Sequence, residues 1–305
     1  MKNKFNKRAF SLIELSIVIL IIGILVAGVT TASRLVKQMK INSIKQMTYS
    51  SPVAGIKGLS LWLETSLEGS VTGAVNPFNP DENEKISSWN DINPQTSTRV
   101  ILGQNNDALR PFYTSNSTIN SLPALRFDGA QWLFSIKAFG GNIPLNPSDD
   151  SFTLIAVWQT NVNTGVNQAV IDQNSLSNVE PAGARAGILL TLFGTYGFCG
   201  QANDYWGCQP YAIKTPYISA ITVKETGAVS VYTNSTTTGC NGNINANTLN
   251  ISDEAFFIGV KSTNTNTERM NGLVQEVIIY DRALSNEELG DVMKYLSKKF
   301  AIRLN

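Results

Sequence analysis

At 305 residues, 43% of them hydrophobic, with a formal net charge of +1, the chain is long enough for one good-sized domain plus an appendage. It contains no histidine, which excludes Ser/His/Asp and Cys/His nucleophile activation and every zinc site that depends on imidazole. Residues 1–50 carry eight Lys and Arg against Glu14 alone, and the remainder sixteen against twenty-two acidic residues; so acidic a remainder is unsuited to gripping phosphates, and no nucleic-acid partner is expected.

Residues 1–9 form a short basic leader with Lys2, Lys4, Lys7 and Arg8, followed by an almost wholly apolar run from Phe10 to Val29. At 1.5 Å rise per residue such a run spans about 30 Å, one bilayer core. In a secretory signal peptide the small cleavage residue follows the apolar region, whereas here the small residue, Ala9, precedes it. A cut between Ala9 and Phe10 would leave the helix on the mature protein. Glu14 interrupts the run, and a carboxylate within a span costs about 2.5–3.5 kcal/mol, so it is expected to have a partner. An α-amino group released at Phe10 is the obvious one. Four basic residues precede the span and Arg34, Lys37, Lys40 and Lys45 follow it, so flanking charge alone does not orient the helix. Leu35, Val36, Met39, Ile41, Ile44 and Met47 then recur at spacings that continue the helix to about Tyr49, with Pro52 and Gly55 ending it.

The segment AFSLIELSIVILIIGIL resembles the class III signal of type IV prepilins and type II secretion pseudopilins. That resemblance implies cleavage before Phe10 by a prepilin peptidase, methylation of the new N-terminus, and pairing of Glu14 with the N-terminus of a neighbouring pilin or pseudopilin subunit. It also implies residence in the bacterial inner membrane with the head exported, then a place in a cell-surface or periplasmic filament. Two departures stand out: Ala9 replaces the usual Gly, and the Pro kink that many members carry later in the helix is absent.

Beyond the hinge, short apolar runs alternate with Asn, Ser, Thr and Gly clusters, the pattern of an antiparallel sandwich. Strands are predicted at Leu59–Leu63, Ala124–Phe127, Trp132–Ile136, Phe152–Trp158, Gly187–Phe193, Ile218–Lys224, Val229–Thr233, Phe256–Val260 and Leu273–Tyr280, and polar loops at 161–167, 234–250 and 262–267. The one helix expected in the head closes the chain. Ser285 and Glu288 make its capping box, Leu289, Val292, Met293, Leu296 and Phe300 its apolar stripe, and Lys298 and Lys299 favour the dipole at its end.

In order along the chain, LSLWLETS, ISSWND, LRPFY, PALRFDGAQWL, SFTLIAVW and GLVQEVIIYDRALSNEELGDVMKYLSKKF resemble the laminin-G-like, concanavalin A-like jelly rolls. The fold expected is therefore mainly β. A leader (1–9) precedes a transmembrane and stalk helix (10–50), a hinge (51–58), and a jelly-roll sandwich head with a C-terminal helix (59–305). The family resemblance implies carbohydrate or protein binding and also covers glycosidases, so it leaves function open.

Glycoside hydrolysis needs two carboxylates across the scissile bond, and the E-x-D-x-x-E pattern of concanavalin-like hydrolases is missing. Glu276 and Asp281 read as edge or loop residues, and the chain is expected not to be an enzyme. No cofactor is expected, although Asp128, Asp149, Asp150 and Asp253 lie in turns where carboxylates can hold calcium. Trp62, Trp89, Trp132 and Trp158 belong to strand-like surroundings and read as core. Cys199 and Cys208 flank a short polar loop and are the favoured disulfide in an oxidising compartment, with Cys240 able to replace either. Tyr205 and Trp206 in that loop are the candidate ligand-binding residues. The expected function is a minor pilin or pilin-like surface protein that displays a non-catalytic, lectin-like head to a glycan or a host or cell-surface protein. The alternatives are a structural pseudopilin of a type II secretion system and a surface-tethered glycoside hydrolase.

Overall fold

The computed structural model describes residues 12–137, 140–146, 148–163, 165–174, 185–200, 204–245, 251–261 and 268–305, with the backbone alone at Trp206. Two compact units divide the chain, Met1–Gln46 and Met47–Asn305. The first is a stretch of the helix α1 (Leu12–Tyr49), whose most apolar 18-residue window has a mean hydropathy of 2.9 and no buried residue. By length and composition it can cross a membrane. Pro52 cannot continue the helix, and a single 3-10 turn at Val53–Gly55 leads into the head.

The head is a sandwich of two antiparallel sheets. The first holds β1 (Leu59–Glu64), β5 (Phe112–Thr114), β6 (Ala124–Asp128), β8 (Phe152–Thr160), β13 (Tyr217–Val223), β14 (Ala228–Thr233), β15 (Cys240–Asn243) and β17 (Asn271–Tyr280). Its order is β15-β14-β13-β8-β17-β6-β5, with β1 pairing the second half of β17. The second sheet holds β2 (Val71–Gly73), β3 (Ile86–Asn90), β4 (Ile101–Gly103), β7 (Leu133–Ile136), β9 (Gln168–Asn174), β10 (Ala186–Leu190), β11 (Thr195–Cys199), β12 (Tyr205–Pro210) and β16 (Ala255–Ile258). These run β12-β11-β10-β9-β16-β7-β4-β3-β2.

Strand β8 shows why the sequence folds this way. Successive side chains of a strand point to opposite faces. Phe152, Leu154, Ala156 and Trp158 therefore enter the core between the sheets, while Thr153, Ile155 and Val157 face outward, and all are buried. A strand buried on both faces must be apolar throughout. The helix α2 (Asn286–Phe300) packs on this sheet, touching β13, and buries Leu289, Val292, Met293, Leu296 and Phe300. Its capping box forms as expected: the Ser285 hydroxyl accepts from the Glu288 amide, and the Glu288 carboxylate accepts from the Ser285 amide. The same carboxylate forks against the Arg282 guanidinium at 2.6 and 2.9 Å. Arg282 and the Ser285 amide hold Glu288 down at about 2.

The favoured cysteine pairing does not form. Cys208 is bonded to Cys240, with Cα atoms 6.2 Å apart, and Cys199 is buried outside the disulfide. The reason is sidedness. Cys199 packs with Ala169 and Leu189 in a small separate cluster, whereas Cys208 and Cys240 both border the main core. Sequence proximity placed the first two on one hairpin but on opposite faces of it. The segment 234–250, expected to be loop throughout, instead contains β15, which carries Cys240. Because the disulfide closes a separation of 32 residues, Cys240→Ser is expected to cost about 2–4 kcal/mol. Thermal melting of the oxidised wild type against the variant checks this, and equal melting temperatures would refute it.

Candidate functional site

Ala9 and Phe10 lie outside the described residues. Glu14 is in the first turn of α1, on a helix whose apolar side chains from Leu12 to Val29 are largely exposed. Such a surface suits lipid or sister helices rather than water.

Of the two candidate ligand aromatics, the structure describes the side chain of Tyr205 alone. Residues 201–203 lie outside the described residues, and Tyr205 and Trp206 begin strand β12 rather than a free loop. Tyr205 is half-buried against the core, and its hydroxyl donates to the Asn241 carbonyl at 2.5 Å. Its ring lies where a Cβ on Gly242 would sit, so Gly242 is required for the close approach. Tyr205 is thus a packing residue between β12 and β15. The side chain of Trp206 lies outside the described residues. Trp62, Trp89, Trp132 and Trp158 are all buried, as expected.

No group of three or more His, Cys, Asp or Glu among the described residues is placed to hold a metal ion. Asp128 pairs with Arg126 across 3.4 Å, Asp149 caps its own turn by accepting from the Asn146 amide at 2.7 Å, Asp253 pairs with Lys137, and Asp150 is exposed.

A pair of close carboxylates does exist, at positions the sequence reading placed elsewhere or left unremarked. Glu276 is not an edge residue; it sits in the middle of β17, opposite Glu64 of β1, and both are buried. Lys299, expected at the helix end as a dipole partner, turns inward. Its ammonium lies 2.7 Å from Glu64 Oε1, 2.8 Å from Glu276 Oε2, 3.0 Å from Thr48 Oγ1 and 3.2 Å from the Tyr295 hydroxyl. Trp62 Nε1 and the Tyr295 hydroxyl donate to Glu276 Oε1 at 2.8 and 3.0 Å, and the amides of Ser66 and Leu67 donate to Glu64, each at 2.8 Å. Burial works against charge on Glu64, but Lys299 and the Ser66 hydrogen bonds outweigh it and hold that carboxyl below its ordinary value. For Glu276 burial wins over Lys299, and the neighbouring Glu64 adds to it, so its value is raised. Burial opposes the Lys299 charge as well, yet the two carboxylates raise its value overall. With all three groups sealed from solvent, this cluster fastens α2 and Thr48 to the sheet and offers no access to a substrate.

Two carboxylates that share one concavity are Asp253 and Asp281. They line a groove of about 400 Å³ with Ser60, Thr98, Lys137 and Asn142. Burial pushes the Asp281 carboxyl up while Arg282 draws it back, for a net rise. Asp281 Oδ1 overlies Gly58, whose φ of +82° and lack of a Cβ permit the approach. Sequence reasoning noted both aspartates apart from one another; what relates them is that segment 251–254 and the end of β17 border one groove.

The long apolar helix that precedes the β-sandwich fits membrane anchoring. The chain's N-terminal segment is of the type IV prepilin kind, because the model for the prokaryotic N-terminal methylation motif matches residues 4–30. No curated protein matches the chain. Among solved structures, Trypanosoma rangeli sialidase in complex with the inhibitor DANA is similar at 15% identity and a TM-score of 0.50, over 84% of this chain and 38% of that one. Domain 4 of AbnA, a GH43 extracellular arabinanase from Geobacillus stearothermophilus, in complex with arabinotriose, is similar at 16% identity and a TM-score of 0.44, over 62% of this chain and 84% of that one. The chain thus spans little more than a third of the sialidase's length. At such identity the likeness is one of fold. The sialidase is an enzyme, so the expectation that the chain is not one is overturned, while a shared fold by itself assigns no activity.

Proposed function

We propose that this is a pilin-like protein that enters a filament through its N-terminal helix and presents its sandwich head to carbohydrate outside the cytoplasm. The observation that carries the reading is the methylation motif at residues 4–30, which overlaps a helix apolar enough for the membrane and precedes an independent sandwich unit. Cleavage before Phe10, subunits of the same kind as partners, and a leader, stalk, hinge and head organised as 1–9, 10–50, 51–58 and 59–305 belong to the same proposal. The carbohydrate part is supported by the resemblance of the head's segments to laminin-G-like, concanavalin A-like domains and by the sandwich it shares with a sialidase.

A second reading, surface-tethered glycoside hydrolysis, is favoured by the groove that Asp253 and Asp281 both line. Hydrolysis needs two carboxyls at one concavity, and burial raises one of these, Asp281. The full chain in detergent, incubated with a panel of polysaccharides, tests both readings. Retention without new reducing ends is the expected result for binding. Reducing ends that vanish in Asp281→Asn would establish hydrolysis, and neither retention nor cleavage on any member would refute the carbohydrate assignment.

A further inference from the structure

We propose that the turn Thr191–Thr195, with Phe193 at its apex, is a stacking platform for one neutral sugar ring at the end of a glycan. The proposal rests on the carbohydrate reading above and names a site for it. At 84% exposure, Phe193 is the most exposed large apolar side chain among the described residues. A phenyl ring held out in water on a tightly braced turn is unusual, because such rings normally fold back onto the body.

The bracing comes from three loops. Within the turn, the Thr191 amide donates to the Thr195 carbonyl at 2.7 Å and the Gly194 amide to the Thr191 carbonyl at 3.2 Å. From one side, Asn167 Oδ1 accepts from the Leu192 amide at 3.0 Å. From the other, the Tyr211 amide donates to the Gly194 carbonyl and its hydroxyl to the Thr191 carbonyl, each at 2.9 Å. Gly194 takes a φ of +77°, which closes the turn without strain. A platform fixed in this way pays little ordering entropy when it binds.

The chemistry beside the ring points to a sugar. Asn167, Thr191, Leu192, Phe193, Thr195 and Gly207 line a concavity of about 240 Å³, and none of them carries a charge. That is below the range of about 300–1,000 Å³ that encloses drug-sized ligands, so it suits a single ring. One face of a pyranose is a patch of C–H groups that lies flat on an aromatic ring, and its rim of hydroxyls needs neutral partners. The Thr191 and Thr195 hydroxyls, 2.8 Å apart, stand there with the Asn167 amide. Among these described lining residues a phosphate or carboxylate would find no cation.

Position agrees with display. At the Tyr280 end of β17, Leu59 pairs with Tyr280 and the Tyr280 hydroxyl bonds the Val53 carbonyl, so this is where the chain from Met47 enters the head. At the opposite end, Asn271 accepts from the Asn161 amide, and Gln168 Oε1 accepts from the Asn271 amide, beside the loop that braces the turn. Ten residues of strand separate the two ends, about 30 Å. Within the head, the platform therefore lies at the Asn271 end of β17, away from the Tyr280 end.

The test uses the full chain in detergent on an array of glycans ending in neutral hexoses, N-acetylhexosamines or sialic acid. Phe193→Ala should weaken binding to neutral termini about tenfold, and Phe193→Leu should weaken it similarly. Phe193→Tyr should retain it, and none should change the melting temperature, since the side chain is exposed. Wild-type binding that Phe193→Ala leaves intact would overturn the platform while the carbohydrate reading stands. Full retention by Phe193→Leu, or binding confined to sialylated termini, would overturn it as a stacking site for neutral sugar. Binding to no glycan would overturn both.

Discussion

Lys299→Met is expected to destabilise the head by about 3–5 kcal/mol, because it leaves Glu64 and Glu276 facing one another in a sealed interior with no counter-charge. For a unit of this size that lowers the melting temperature by about 10 °C or more. The pH dependence contributed by Glu64 should change sign, while that of Glu276, whose value is already raised in the wild type, should keep its sign. In the wild type, Glu64 has a value below that of the unfolded chain, so its contribution is present above the unfolded value and lost as pH falls through the folded one. Lys299 has a raised value, so its contribution is complete below about 10.5 and lost as pH rises through the folded value. In Lys299→Met both carboxyls are pushed up, and a raised carboxyl stabilises at low pH and ceases to as pH rises through its folded value. The variant should therefore lose less at pH 5 than at pH 8. Adding Glu64→Gln and Glu276→Gln should restore much of the loss, since a neutral hydrogen-bonded cluster avoids the unpaired charge. Melting curves of the three proteins at both pH values decide the matter. A loss of under about 1 kcal/mol in Lys299→Met, or the same loss at both pH values, would show that the cluster does not hold the fold electrostatically.

Glu14→Ala should leave membrane insertion intact or improved, because it removes an intramembrane carboxylate worth about 2.5–3.5 kcal/mol on insertion scales. Entry into filaments should nevertheless collapse, since in the proposed assembly Glu14 is what a neighbouring subunit's N-terminal amine finds within the apolar layer. Few groups there could replace it. Comparing membrane and sheared-filament fractions for wild type and variant separates the two effects. A variant that reaches the filament as efficiently as wild type would remove Glu14 from assembly. Mass spectrometry of the membrane fraction supplies the companion measurement, the mature chain beginning at Phe10.

What could be read directly from the chain was whatever depends on neighbours in sequence. The apolar run and Glu14, the end of α1 near Tyr49, the capping box at Ser285 and Glu288, and the long strands β8, β13 and β17 all rest on periods or offsets within a few residues. Short strands such as β2, β4, β5 and β15 were missed because three or four residues carry too little pattern to separate a strand from a loop. Lys299 misled for a related reason: at the end of a helix a lysine satisfies a local rule, and only the packing of α2 on the sheet turns it toward Glu64, 235 positions away, and Glu276. The disulfide followed the same logic, with Cys199 nearer in sequence and Cys240 on the correct face. The groove of Asp253 and Asp281 and the braced turn at Phe193 also join loops distant in sequence. Local chemistry sets which elements form, but which side chains meet across two sheets depends on register and topology, and those emerge only when the whole core is packed.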